Sequence, residues 1–239
     1  MISVDLVLKA ADANEIPYTI AFKVLEKVRL LHKVMLSIER ETGVKYPHAI
    51  VMPCIFMVSH ADFAETAVFA YLDLVEKRGT VEPSVVVSTP LILYGTPTQV
   101  KAVMAHEFLH LVSLVMAVAE GRLLQQPEVA EVSTLMGMLV ADEARQVPPR
   151  AIFKKRTVTL LRRTFNGGLK SKGLLRKLEE NWLNRGFPVK RVPPSKLVTR
   201  VGLEALERLK LEPGYYQLME KVKAFREAPP KKRKKRPRI

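Results

Sequence analysis

The stretch that most constrains this chain begins at Thr96-Pro97-Thr98 and runs without a helix breaker to Gly121. Thr96 is a natural N-cap and Pro97 suits the first helical turn, so the stretch reads as one long helix over residues 97–120. An apolar run follows the cap up to Gly121. Polar residues interrupt it at His106-Glu107-Phe108-Leu109-His110. Side chains four apart share a helix face, so His106 and His110 can offer two imidazoles to one cation. Glu107 stands where it can take a proton from a water on that cation. The competing reading is a buried helix whose histidines bond to backbone.

Further signals place the helix in a mixed fold. Residues 2–9 alternate Ile2, Val4, Leu6 and Leu8 with mostly polar neighbours and predict a short strand. Ile20, Val24, Val28, Leu31, Met35 and Ile38 recur at steps of three and four, which predicts a helix over 17–42 ended by Gly43 and Pro47. Residues 48–59 predict a strand despite Pro53. Residues 61–77 satisfy either a helix or a strand through Ala67–Leu72. Ser84–Thr89 is β-branched, bounded by Pro83 and Pro90, and predicts a strand leading through Pro90–Thr96 into the motif helix.

A strand, a short connection and an H-E-x-x-H helix follow one another as in zincin-type zinc metallopeptidases. The segment Val85–Val112 resembles that superfamily, most closely from Val103 to His110. The resemblance implies an α+β fold with a small zincin-like sheet, an active-site helix and a following ligand helix. It also implies zinc held by His106 and His110, with Glu107 as general base for hydrolysis of a peptide bond. The metzincin subclass is excluded, because Ser113 and Met116 occupy its glycine and third-histidine positions. The gluzincin pattern, with a glutamate ligand from the next helix, remains.

That helix is expected from Gln126-Pro127 to about Gln146, with Glu128, Glu131, Asp142 and Glu143 as its acidic residues. In an antiparallel hairpin the level of His106–His110 returns near residues 138–143. Val129, Val132, Met136 and Leu139 mark an apolar face whose next step is Glu143. A carboxylate there is costly unless it is paired or ligates a metal. Glu143 is the expected third ligand, with Glu131 and Asp142 as alternatives. The acidic companion usual four residues after a gluzincin ligand is missing after Glu143 and Glu131, where Val147 and Leu135 stand. Tyr94 and His60 are conceivable donors to the substrate carbonyl, and Ser84–Thr89 a strand edge for an extended peptide. His32 reads as a surface or boundary histidine.

The chain of 239 residues has a single cysteine, Cys54, which excludes an intrachain disulfide and a cysteine-rich zinc module. Cys54 lies in an apolar run and reads as a core residue. Asp5 and Lys9 break the first apolar stretch, so no secretory signal is read; Phe108–Ala119 is too short to cross a bilayer. The expectation is a cytoplasmic protein, nuclear in a eukaryote, without membrane association.

Charge divides the chain. Residues 1–149 carry 12 Lys and Arg against 17 Asp and Glu, and residues 150–239 carry 27 against 7. The first part is read as the zincin-like domain, 150–227 as a basic helical region and 228–239 as a disordered basic tail. Leucines and Phe165 predict two amphipathic helices split at Asn166-Gly167-Gly168, and two more helices are expected over 195–209 and 213–226. Trp182 reads as a packing anchor. The basic region favours polyanions, so nucleic acid bound through residues 150–239 is an expected partner beside a peptide substrate. A solvated surface of the kind found in heat-adapted proteins is the competing account. The alternative to a peptidase is thus a nucleic-acid-binding helical protein with a structural or vestigial zinc site. A third reading is a partner-binding protein on an inactive zincin scaffold.

Overall fold

A computed structural model describes residues 1–59, 65–77, 79–120, 147–165, 169, 171–192, 208, 209 and 211–228. The fold is mixed α+β. Two short sheets and eight helices are formed by the described residues.

The first expectation to fail is at the N-terminus. Strand β1 is only Ile2–Ser3, and helix α1 follows over Asp5–Asp12. Val7, Ala10 and Ala11 are buried at helical spacing, whereas Leu6 and Leu8 of the alternating set are exposed. Burial at a period of 3.6 outweighs a period of two over so short a run. Helix α2, Tyr18–Thr42, matches its expectation. Gly43 ends it in the left-handed conformation at φ 77°, with its N–H donating to the Glu39 carbonyl at 2.8 Å.

The stretch read as one strand over 48–59 is two, β2 (His48–Met52) and β3 (Ile55–Ser59), and they belong to different sheets. Pro53 has no N–H to donate, so the ladder is interrupted there and the chain changes sheet. The ambiguous stretch resolves into β4 (Glu65–Val68) and β5 (Ala70–Lys77). Strand β6 is longer than expected, Thr80–Ser88, with Pro83 inside it. Pro83 pairs only with Leu74 of β5, because β2 joins from Ser84 onward. The proline therefore costs no bond on its other side.

The first sheet runs β1-β2-β6-β5, parallel except for the antiparallel β5–β6 pair, and the second runs β4-β3-β7, with β7 at Val189–Val192. Strand β6 is thus flanked on both sides. That corrects the expectation that Ser84–Thr89 offers a free edge; the edge on this side, among the described residues, is β5.

The connection after β6 is also more structured than expected. A short helix, α3 (Thr89–Tyr94), is capped by the Ser88 hydroxyl, which accepts from the Leu91 N–H. At Gly95 a Cβ would strike the Leu91 carbonyl oxygen, so only glycine lets the chain turn into the next helix. That helix, α4, spans Pro97–Ala119. Thr96 and Gln99 form a reciprocal capping box, each side chain accepting from the other's backbone N–H.

Helix α4 is the centre of the molecule, and α2 and β5 pack against it. By length and composition alone it could cross a membrane, as the shorter Phe108–Ala119 stretch could not. However, 83% of its apolar window is buried inside the protein, which is the state of a core helix. The remaining helices are α5 (Pro149–Ile152), α6 (Lys155–Thr164), α7 (Lys172–Asn181) and α8 (Pro213–Glu227). Helices α6 and α7 are the expected amphipathic pair, and both α6 and α8 rest on α4. The change of charge at residue 150 has no counterpart in packing, since Ile152, Phe153, Leu161, Leu178 and Val222 join the same apolar core as Phe108 and Leu111. Trp182 is fully buried and donates its indole N–H to the Pro188 carbonyl at 3.0 Å. The expected helix over 195–209 falls outside the described residues except at 208 and 209, where Leu209 bridges Val81 in parallel.

Candidate metal centre

The capping box fixes where α4 begins, and from there the phase of the helix follows. His106 and His110 fall one turn apart, with Nε2 atoms 3.0 Å from each other and rings edge to face at 4.5 Å. One potential ligand atom from each of His106, Glu107 and His110 lies within 4.8 Å of the others. The sequence expectation that these three side chains meet is met in this geometry. Glu107 and His110 are buried, and His106 is partly exposed, so the cluster has one open side.

The fit to a cation can be judged from the donors themselves. Bonds of about 2.0–2.1 Å at tetrahedral angles place two imidazole nitrogens about 3.3 Å apart. The observed 3.0 Å is within a few tenths of that. Two imidazole nitrogens at this separation suit one metal ion, with the Glu107 carboxylate beside them. The cluster can therefore hold a metal ion.

Two aromatic neighbours escaped the sequence reading. Phe165, the C-cap of α6, stacks on the His106 ring with centroids 4.4 Å apart and planes 14° from parallel. It forms an antiparallel bridge with Leu169. The only sequence hint was its position before Asn166-Gly167-Gly168. On the other side of α4, Tyr46 is buried and donates its hydroxyl to the Met104 carbonyl at 2.7 Å, while its ring stacks on Phe108. Burial first, and then the charge of Glu107, push the Tyr46 hydroxyl well above its ordinary pKa. It stays a neutral donor.

The helix is anchored by a second polar cluster one turn before the histidines. Lys101 Nζ lies 2.6 Å from Glu41 and 2.9 Å from the Ser37 hydroxyl, both on α2. Glu41 also accepts from Thr157 Oγ1 at 2.9 Å and from the Lys154 N–H at 3.2 Å. One carboxylate thereby joins α2, α4 and α6. Burial raises its pKa, but the bonds from Lys101 and Thr157, the lysine charge and the Lys154 N–H outweigh that and leave it lowered.

Other expected residues lie elsewhere. The Tyr94 hydroxyl donates to the Asn181 carbonyl at 2.9 Å, tying α3 to α7, which corrects its reading as a donor to substrate. His32 is exposed on α2, as expected of a surface residue. Cys54 is buried in a small cluster with Phe56 and Val58, and burial pushes its thiol up to about 11. Ser113, three residues after His110, is fully buried, and its hydroxyl has no hydrogen-bond partner among the described residues. Glu143, the expected third ligand, and the alternatives Glu131 and Asp142 lie outside the described residues, as does His60.

Comparison with protein-family models, with curated proteins and with solved structures gives no significant match. The chain is thus defined by its own geometry: a mixed α+β protein whose central helix carries a His-Glu-His cluster able to hold a metal ion.

Proposed function

We propose that this protein is a zinc-dependent hydrolase of peptide bonds, with His106 and His110 as two metal ligands and Glu107 as general base. The observation that supports it best is the meeting of His106, Glu107 and His110 on the central helix, with the histidine nitrogens 3.0 Å apart. Glu143 is the third ligand we propose, because a carboxylate on the apolar face of its expected helix is costly unless it is paired or ligates a metal.

Zinc bound here supplies Lewis acidity toward a water and a carbonyl oxygen. Glu107 takes the proton of the attacking water and returns it to the leaving nitrogen. Its burial keeps bulk water from competing for that proton. Phe165 holds the His106 ring in place. Strand β5, an edge that packs against α4, is where an extended peptide adds by backbone pairing.

The test combines metal analysis with proteolysis of an unfolded protein substrate. Wild type is expected to carry one zinc per chain and to cleave. Glu107→Gln is expected to keep the zinc and lose at least about a hundredfold in rate, the scale of general-base catalysis. His106→Ala and His110→Ala should lose both metal and activity. Full activity in Glu107→Gln would overturn the mechanism.

A further inference from the structure

Among the described residues, most exposed large apolar side chains stand singly. Leu175 lies on α7, Tyr216 and Phe225 lie well apart on α8, and Leu6 and Leu8 point to opposite sides of α1. Helix α2 is different. Tyr18, Phe22 and Leu25 fall at i, i+4 and i+7, so they lie side by side, 50%, 61% and 37% exposed. The Tyr18 and Phe22 rings lean together with centroids 6.4 Å apart. The three side chains leave on the order of 300 Å² of apolar surface in water, the scale of the largest and often functional patch on a monomer. Leu36 is on the same side of the helix, about three turns beyond Leu25.

Charge is ordered along the same face. Ahead of the patch, exposed Asp5, Asp12 and Glu15 outnumber Lys9. The Tyr18 hydroxyl donates to Asp12 at 2.6 Å, which holds that carboxylate at the edge of the patch. Behind the patch come exposed Arg29, Lys33 and Arg40 with no exposed acidic residue on that part of α2. Its two glutamates are half-buried and turned to other work, Glu39 accepting from the Tyr46 N–H and Glu41 from Lys101. The face therefore reads acid, apolar, base. Glu26, at its flank, is the one exposed acid within the helix.

We propose that this face of α2 is the seam of a homodimer, in which two copies pair antiparallel about a two-fold axis between Phe22 and Leu25. Tyr18 and Arg29 are about 16 Å apart along the helix, and the midpoint falls between Phe22 and Leu25. Laying patch on patch therefore brings the Asp12–Tyr18 end of each copy level with Arg29 of the other. An isologous contact needs that self-complementarity. Tyr18, Phe22, Leu25 and Arg29 also alternate steps of four and three, the spacing that keeps two helices in contact along one seam. The order of charges selects a second copy over a lipid surface: anionic headgroups that attract Arg29 and Lys33 repel Asp12 and Glu15. Two joined patches bury about 600 Å² of apolar surface, and with the flanking charged side chains the contact stands at the low end of specific interfaces, so Kd is on the order of 10–100 µM. The seam shares no residue with the metal cluster, and its test is independent of the hydrolytic reading.

The test follows the full-length protein by sedimentation velocity from about 1 to about 200 µM, the range set by a contact of this size. Wild type should pass from monomer to dimer across it. Phe22→Glu should weaken the dimer at least about tenfold, whereas Leu175→Glu, at an isolated exposed leucine, should stay within about twofold. Asp12→Arg and Arg29→Asp should each weaken it about fivefold, because like charges then meet at both ends of the seam. Combined in one chain they should restore the dimer to within about twofold of wild type. Far-ultraviolet circular dichroism shows that each variant is folded. The proposal is overturned by a wild type that stays monomeric, by a Phe22→Glu protein that dimerises undiminished, or by a combined variant weaker than both single ones. It is also overturned if the monomer sediments with phosphatidylserine-containing vesicles through Phe22, which would make the face a membrane contact.

Discussion

Phe165 offers the sharpest way to ask whether the basic half contributes to the metal centre. Its ring lies 4.4 Å from that of His106 and within 14° of parallel. Aromatic pairs of this kind are worth about 0.5–1.5 kcal/mol, and immobilising a free side chain costs about the same. With Phe165 present, His106 is already held when a metal arrives. In Phe165→Ala the metal must supply that ordering itself, at a cost of about 1 kcal/mol, which is about fivefold in affinity. Phe165→Tyr keeps the plane and should stay within twofold of wild type, with Phe165→Leu between the two. Competition for zinc against a chromogenic chelator measures the affinity, and far-ultraviolet circular dichroism with thermal unfolding shows whether each variant remains folded. A folded Phe165→Ala protein that binds zinc as tightly as wild type would refute the reasoning. So would a Phe165→Tyr protein that falls as far as the alanine variant.

Two further perturbations probe how α4 is held. Glu41→Gln removes the charge that joins Lys101, Thr157 and the Lys154 N–H, and should cost about 1.5–3 kcal/mol in urea unfolding at pH 7. Because the Glu41 pKa is lowered in the fold, its contribution is complete above the ordinary carboxylate value of 4.5 and is lost as pH falls through the lower folded value. The gap between wild type and Glu41→Gln should therefore be constant from pH 7 to about 5 and close below that; a gap that widens on acidification would contradict the assignment. Tyr46→Phe deletes one buried hydrogen bond to Met104, whose carbonyl keeps its place in the helix, and should cost about 1 kcal/mol in the same assay.

The motif helix was legible because its signals are local. Thr96, Pro97 and Gln99 define its start, and four-residue spacing does the rest for His106 and His110. Helix α2 was legible for the same reason, with Gly43 supplying its stop. What failed was sheet organisation. Nothing in Ser84–Ser88 says that β2 lies on one side of it and β5 on the other, and both pairings depend on residues far away in sequence. The stack of Phe165 on His106 joins positions 59 residues apart, and no periodicity links them. Residues 2–9 failed differently. Alternation over eight residues also contains a helical subset, and burial of Val7, Ala10 and Ala11 against the core selected it.

Burial is also what separates the two accounts of the central cluster. Helix α4 is apolar on nearly every face, so each polar side chain it turns inward has a cost to meet. Near the helix start, Lys101 meets that cost openly, through Glu41 and Ser37. At His106, Glu107 and His110 three polar side chains are gathered at one level, two of them under 8% exposed. A helix built only for packing would place leucine or alanine there, as it does at Leu111 and Leu114. The two imidazole nitrogens, 3.0 Å apart, are close enough to hold one metal ion between them. Metal titration against pH tests this: imidazole ligands must be neutral to bind, so affinity should rise with pH. No metal bound at any pH from about 5 to 8 would remove the ground for hydrolysis.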